Sequence, residues 1–240
     1  MSSIPVVLLH GHTLDRRMWQ PQLEFFKPCQ APTLRGYGGS SPPTTPFSFA
    51  EDVHNLLKGY QKIHLVGLSL GGNVALEMAI RYPERIQTLT LLDSSLKGFT
   101  PDQAQIEAGA TVQTAFENAG LEAAKQTWLD LPLFASAREN PVLEKQLGAW
   151  VADYSGWHWV QNISPSAAIA DVSSRLEEVK AKTLIVVGAR DVAYFQNVAR
   201  YLHQKIADSR LEVVAGAGHL VNLEQPEVVN ALLESHFLAW

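Results

Sequence analysis

Residues 64–71 read His64-Leu65-Val66-Gly67-Leu68-Ser69-Leu70-Gly71: an apolar strand, a Gly-x-Ser-x-Gly turn, and the opening of an amphipathic helix. A serine hydroxyl is a weak nucleophile and must stand clear of the backbone to meet both a base and a carbonyl carbon. A sharp strand-to-helix turn lifts it out, and the crowding at such a turn calls for glycine two residues to either side. The same turn directs the amide N–H of Leu70 toward the place where negative charge develops on a substrate oxygen. Three fixed positions recur by chance in roughly one chain of this length in ten, so the flanking strand and helix supply the discrimination. A phosphate cradle would want Gly-x-x-x-x-Gly-Lys-Ser/Thr or Gly-x-Gly-x-x-Gly, and the chain contains neither.

The rest of the chain suits the same architecture. Short runs rich in Val, Ile and Leu at 6–9, 63–68, 85–92, 183–187 and 211–214 read as strands buried on both faces, with a further candidate at 29–33. Helical patterns separate them. Val74, Met78 and Tyr82 share one face before Pro83 stops the segment, and residues 195–206 form another helix. Pro226 opens a last one, continued by Val229, Leu232, Leu233 and Phe237. Alternation of this kind predicts an α/β fold, a mostly parallel central sheet with helices on both faces. It is interrupted at 94–182, a helix-rich stretch holding four of the six tryptophans, Trp128, Trp150, Trp157 and Trp159. We read it as an insertion, leaving 1–93 and 183–240 as the core.

A nucleophile at Ser69 needs an acid and a histidine beyond strand ends, in that order. The strand at 183–187 runs into Gly188-Ala189-Arg190-Asp191, and that at 211–214 into Ala215-Gly216-Ala217-Gly218-His219. Asp191 is the expected acid and His219 the expected base. Asp93, which follows the strand ending at Leu92, is a rival acid; Asp171 lies inside the insertion. The first strand ends in His10-Gly11-His12-Thr13, so the His12 amide is the expected second oxyanion donor beside Leu70. The imidazoles of His10 and His12 read as structural or pocket-lining, and no further ligands accompany them as a zinc site would require. Trp157, Trp159 and Tyr194 are candidate pocket residues, the two tryptophans being equally suited to packing the insertion onto the core.

Together these residues resemble the α/β-hydrolase superfamily, in particular its small capped esterase-like members. The matching pieces are His10-Gly11, Leu34-Arg35-Gly36-Tyr37-Gly38-Gly39-Ser40, Gly67-Leu68-Ser69-Leu70-Gly71-Gly72, Gly188-x-x-Asp191, and Gly218-His219 with Glu224-Gln225-Pro226. The resemblance implies Ser69 as nucleophile, His219 as base, Asp191 as orienting acid, backbone donors at His12 and Leu70, and a helical cap formed by the insertion. Thr33 stands where an acidic residue is frequent in the family, and His12 where apolar or aromatic residues are common, which alters the polarity of the pocket wall.

The expected activity is hydrolysis of a small to medium carboxylic ester or lactone through an acyl-enzyme, with no cofactor and no metal. Carbon–carbon bond hydrolysis, enol-lactone opening, perhydrolysis and cyanohydrin cleavage use the same scaffold, and fold and triad do not separate them. A slowly turning-over ligand receptor is the alternative from another class. A dehalogenase would want a carboxylate where Ser69 stands. A net charge of −5 without a dense basic run speaks against a nucleic-acid partner. The early apolar run at 4–9 is too short for a membrane span and lacks a signal peptide's flanks, and the single Cys29 excludes an intrachain disulfide framework. A cytoplasmic protein acting on a small molecule is the expectation; no pattern bears on oligomeric state.

Overall fold

The computed structural model describes residues 4–161, 165, 169 and 171–238. Strand β1 (Val6–Leu9) is followed by a 3-10 turn at Arg16–Trp19 and helix α1 (Gln20–Phe25). Strand β2 (Cys29–Gln30), helix α2 (Phe49–Leu56), strand β3 (Ile63–Leu68), helix α3 (Leu70–Arg81) and strand β4 (Ile86–Leu92) come next. Helices α4 (Gln103–Asp130), α5 (Ala135–Arg138), α6 (Pro141–Asp153) and α7 (Trp157–Val160) form the insertion after β4. The chain closes with β5 (Lys182–Gly188), α8 (Ala193–Lys205), β6 (Ser209–Val214), α9 (Val221–Glu224) and α10 (Pro226–Leu238).

Among the described residues the strands form one parallel sheet in the order β2-β1-β3-β4-β5-β6. Its central strands are apolar throughout because successive side chains point to opposite faces and both faces are covered. Val7, Leu9, Leu65, Leu89 and Ile185 point into one core with α2, α3 and α8. Val6, Leu8, Val66, Leu184 and Val186 point into the other, closed by Trp19, by Val229 and Leu233 of α10, and by Leu143 and Leu147 of α6. Strand β6 lies at the edge. It exposes Val213 by 60% and pairs Arg210 with Glu212 at 3.3 Å, charges that blunt a free edge.

Differences from the expected boundaries have local causes. The strand expected at 29–33 is only Cys29–Gln30, since Pro32 has no N–H to give a ladder. Arg85 belongs to a 3-10 turn at Pro83–Arg85 rather than to β4, and β6 begins two residues earlier than expected. The described part of the insertion contains no strand. Its long helix α4 breaks at Gly120, whose φ of 80° no helix accommodates. Among the described residues no helix is long and apolar enough to cross a membrane.

The topology decides where chemistry can gather. From β1 the chain first goes outward to β2, then returns across β1 to β3, so the winding reverses between β1 and β3. Such a switch point opens a crevice at the carboxyl ends of the strands. In register, Leu9 pairs with Gly67, Leu68 with Leu92, Leu92 with Val186 and Gly188 with Val214, so the loops after five strands share one rim.

Candidate active site

Ser69 occupies the turn between β3 and α3 with φ 53° and ψ −115°, backbone that side-chain-bearing residues rarely adopt. Such conformations cost about 1–3 kcal/mol and persist where the surroundings over-determine them. Here the Ser69 amide donates to Leu92 O at 3.0 Å. Its carbonyl accepts from Gly72 N at 3.0 Å, Asn73 N at 3.2 Å and Ser95 N at 3.1 Å, and from the Ser95 hydroxyl at 3.0 Å. Both motif glycines have a steric reason. A Cβ on Gly67 would stand 2.2 Å from Gly71 O, and one on Gly71 only 2.1 Å from Leu9 O.

Asp191 and His219 meet. His219 Nδ1 lies 2.9 Å from Asp191 Oδ2, with both side chains almost fully buried. The loops carrying them are fixed by backbone bonds. Glu224 accepts from Gly218 N at 2.8 Å and from Leu220 N at 3.0 Å, so one carboxylate straps the turn around His219. Arg190 N donates to Ala217 O at 2.8 Å and so joins the two loops, while Asp191 Oδ1 accepts from Val192 N at 2.7 Å. The imidazole packs on the Phe195 ring at 4.1 Å. Ser69 and His219 line one small cleft together with Gly11, His12 and Leu220. No hydrogen bond joins the hydroxyl to the ring, a contact that often tightens only once substrate binds.

Asp93 is placed elsewhere. Fully buried at the end of β4, it accepts from Gly188 N at 2.8 Å and from Val221 N at 3.2 Å. It therefore ties the end of β5 to the loop after His219 instead of contacting the imidazole. Burial, and then the neighbouring Asp191, push its carboxyl well above the usual carboxylate range. Asp93→Ala leaves two buried N–H donors unpaired at about 1–3 kcal/mol each, so we expect a loss of about 2–6 kcal/mol, read from the urea midpoint. An unchanged midpoint would show that the clamp carries no load.

The His10-Gly11-His12 turn approaches the same point: a Cβ on Gly11 would lie 3.6 Å from Ser69 Cβ. Among the described residues neither the His12 nor the Leu70 amide donates to a protein acceptor. The two imidazoles are engaged by the scaffold. His10 Nε2 accepts from Leu34 N at 2.9 Å, fixing the loop after β2. His12 Nδ1 bonds the Tyr37 hydroxyl and Nε2 meets His158 Nε2, each at 2.8 Å, and His158 Nδ1 bonds the Tyr154 hydroxyl. Only one of two facing nitrogens carries the shared proton, so the pair is never doubly charged.

Burial pulls His10, His64 and His158 down to about 4, and holds His12 well below 6.5 with help from His158 and His10. Between pH 6.5 and 4 the unfolded chain therefore binds protons on these histidines that the folded chain refuses. Stability rises with pH wherever the unfolded state binds more protons, so it falls on acidification through this window. Each such histidine contributes up to about 1.4 kcal/mol per pH unit; Asp93, with its raised pKa, runs the other way and offsets about one of them. Urea midpoints measured from pH 7 to 4.5 should fall steadily, and a flat profile would contradict the neutral His12–His158 contact.

Beside Ser69 opens a cavity of about 380 Å³. Tyr194 lines it, with Val192 and Phe195 on the same wall. Trp157 and Trp159 are not among its lining residues. Trp157 is 2% exposed and fills the core against Tyr37 and Phe47, and Trp159 packs on His12, His158 and Trp128. The tryptophan that does line the cavity is Trp128, held by its indole N–H to Thr13 Oγ1 at 2.8 Å. Leu133, Gln105 and Asp102 also line it, and no sequence pattern had marked them. Among the described residues no group of three or more His, Cys, Asp or Glu could hold a metal ion.

Comparison with known proteins gives a consistent result. The profile of the alpha/beta hydrolase family matches residues 6–232. The chain is 30% identical over 229 residues to 3-oxoadipate enol-lactonase 1 of Acinetobacter baylyi, covering 92% of this chain and 84% of that one. It is 28% identical to the pimeloyl-[acyl-carrier protein] methyl ester esterase of Neisseria meningitidis, covering 95% and 90%. Among solved structures, an esterase from Exiguobacterium antarcticum superposes with a TM-score of 0.82 at 24% identity, covering 99% of this chain and 92% of that one, a likeness of fold.

Proposed function

The chain belongs to the alpha/beta hydrolase family, and from that premise we propose that it is a serine hydrolase cleaving small to medium carboxylic esters or lactones through an acyl-enzyme. The observation that carries this reading is the 2.9 Å contact of His219 Nδ1 with Asp191 Oδ2, in a cleft that Ser69 shares from its strained turn. Relatives named as an enol-lactonase and a methyl ester esterase support the bond type.

Asp191 accepts a hydrogen bond from the Nδ1–H of His219, which keeps the proton on Nδ1 and leaves Nε2 free to act as base. As the Ser69 oxygen attacks the carbonyl carbon, its proton passes to Nε2. The carbonyl oxygen gains charge and takes hydrogen bonds from the His12 and Leu70 amides, donors of a kind worth about 2.7–4 kcal/mol each in the transition state. Collapse expels the alcohol, which leaves with the proton from His219. Water then attacks the acyl-enzyme by the same route and frees the acid. The insertion at 94–182 serves as the cap that walls the cavity, and the core comprises 1–93 and 183–240. A cytoplasmic setting belongs to the same reading and rests on the lone Cys29.

Mixing the protein with p-nitrophenyl acetate and quenching within the first turnover should give an acetyl adduct on the peptide containing Ser69. Steady release of p-nitrophenol with no acyl adduct at Ser69 would remove the proposal.

A further inference from the structure

The charge of the cavity wall restricts what enters it. No lysine or arginine lines the cavity or the cleft beside Ser69. None of the residues outside the described set is a lysine or arginine either, so none can supply one. Leucine, valine, alanine and aromatic side chains dominate the walls. The one charged side chain among the lining residues is Asp102, the N-cap of α4. Its Oδ1 accepts from Gln105 N at 2.8 Å, and it makes no ion pair among the described residues. Its charge is felt by Tyr194, which lines the same cavity: burial pushes that phenol up, a hydrogen bond with the Leu96 backbone lowers it, and this carboxylate adds a smaller upward push.

We propose that the site selects uncharged substrates and rejects those carrying a carboxylate on the arm that fills the α4 end of the cavity, with Asp102 as the specificity-determining residue. This rests on the reading of Ser69 as nucleophile. A substrate carboxylate placed there loses water without gaining a cation, and meets a like charge in surroundings of reduced dielectric. The neutral counterpart of the same length gains apolar contact instead. Discrimination by an unmatched charge of this kind is expected to reach at least the range that a single methylene spans, about 10–200-fold. A ratio of at least thirtyfold is expected in kcat/KM.

Two matched pairs test it, one for each arm of the ester. On the acyl side, p-nitrophenyl pentanoate is compared with mono-p-nitrophenyl glutarate; on the alcohol side, phenyl acetate is compared with 4-acetoxybenzoate. In at least one pair the anionic member should be at least thirtyfold poorer. Asp102→Asn should shrink that ratio severalfold, and Asp102→Lys should shrink it further. Asparagine caps a helix as well as aspartate does, so the first variant keeps α4 in place. The reading is the ratio within each protein, which is insensitive to the fraction correctly folded. Ratios near one in both pairs, or a ratio unmoved by both variants, would overturn the proposal while leaving the hydrolase reading intact. Failure to turn over any neutral ester would instead take down the hydrolase reading and this inference with it, so the two failures are told apart by the neutral substrates.

Discussion

Ser69→Ala should lower kcat/KM for p-nitrophenyl esters by about 10⁴–10⁶-fold while the protein stays folded. Loss of a triad serine removes the bond-forming atom, and what survives is the contribution of backbone donors and binding, about 10³–10⁴ over water in the enzymes where it has been partitioned. The fold should be indifferent to the change. Ser69 is held through its backbone amide and carbonyl, which alanine retains, and both residues meet the same steric cost at φ 53°. A urea midpoint equal to that of the parent, with activity gone, is the expected pair of results. Activity retained within tenfold would mean that another group performs the attack.

Gly71→Ala should be among the most damaging single added methyls at the described glycines. The added Cβ would stand 2.1 Å from Leu9 O, 2.5 Å from Leu9 C and 2.8 Å from His10 O, all backbone atoms that cannot rotate away. Relief requires α3 to retreat from the end of β1, which separates Leu70 from the His12 turn and opens the core beneath. Overpacking of this kind costs typically 1–3 kcal/mol when side chains can adjust. Backbone against backbone should exceed that range, and we expect about 4 kcal/mol or more, with little soluble protein at 37 °C. Gly148→Ala is the internal control. Gly148 lies inside α6 with nothing within 4 Å of its Cβ position, so alanine there should stabilise by about 0.5–1 kcal/mol. Two variants with the same added atom are thus expected to differ in sign, which thermal unfolding of both would check.

The parts legible in the sequence were those with local signals. The strand–turn–helix around Ser69 is written in eight adjacent residues; Gly67 answers to a contact inside the motif, with Gly71 O, whereas the constraint on Gly71 comes from Leu9 O at the end of β1. The loops of Asp191 and His219 could be found because each follows an apolar run directly, and parallel strands bring such loops to one rim. Choosing between Asp93 and Asp191 was harder. Both follow strands, and only the structure separates them, Asp191 contacting the His219 ring and Asp93 accepting from Gly188 and Val221 amides. The cavity wall was the least legible part. Trp128 and Trp157 are equally large and both lie in the insertion, yet one lines the cavity and the other fills the core under Gly36. That difference depends on how the helices of the insertion sit on the sheet, for which one sequence carries no periodic signal. The His12 ring reads from the sequence as structural or pocket-lining and it bonds Tyr37 and His158, but His158 lies 146 positions away and no local signal names it as the partner.

Under the proposed mechanism one serine hydroxyl among all those in the chain is made nucleophilic by its surroundings. A fluorophosphonate reacts with such a hydroxyl and spares ordinary ones, so peptide mapping by mass spectrometry after brief treatment reads the claim directly. A single stoichiometric adduct is expected on the peptide holding Ser69, absent from Ser69→Ala and strongly slowed in a His219→Ala protein. An adduct on a different residue, or none in protein shown to be folded, would contradict it.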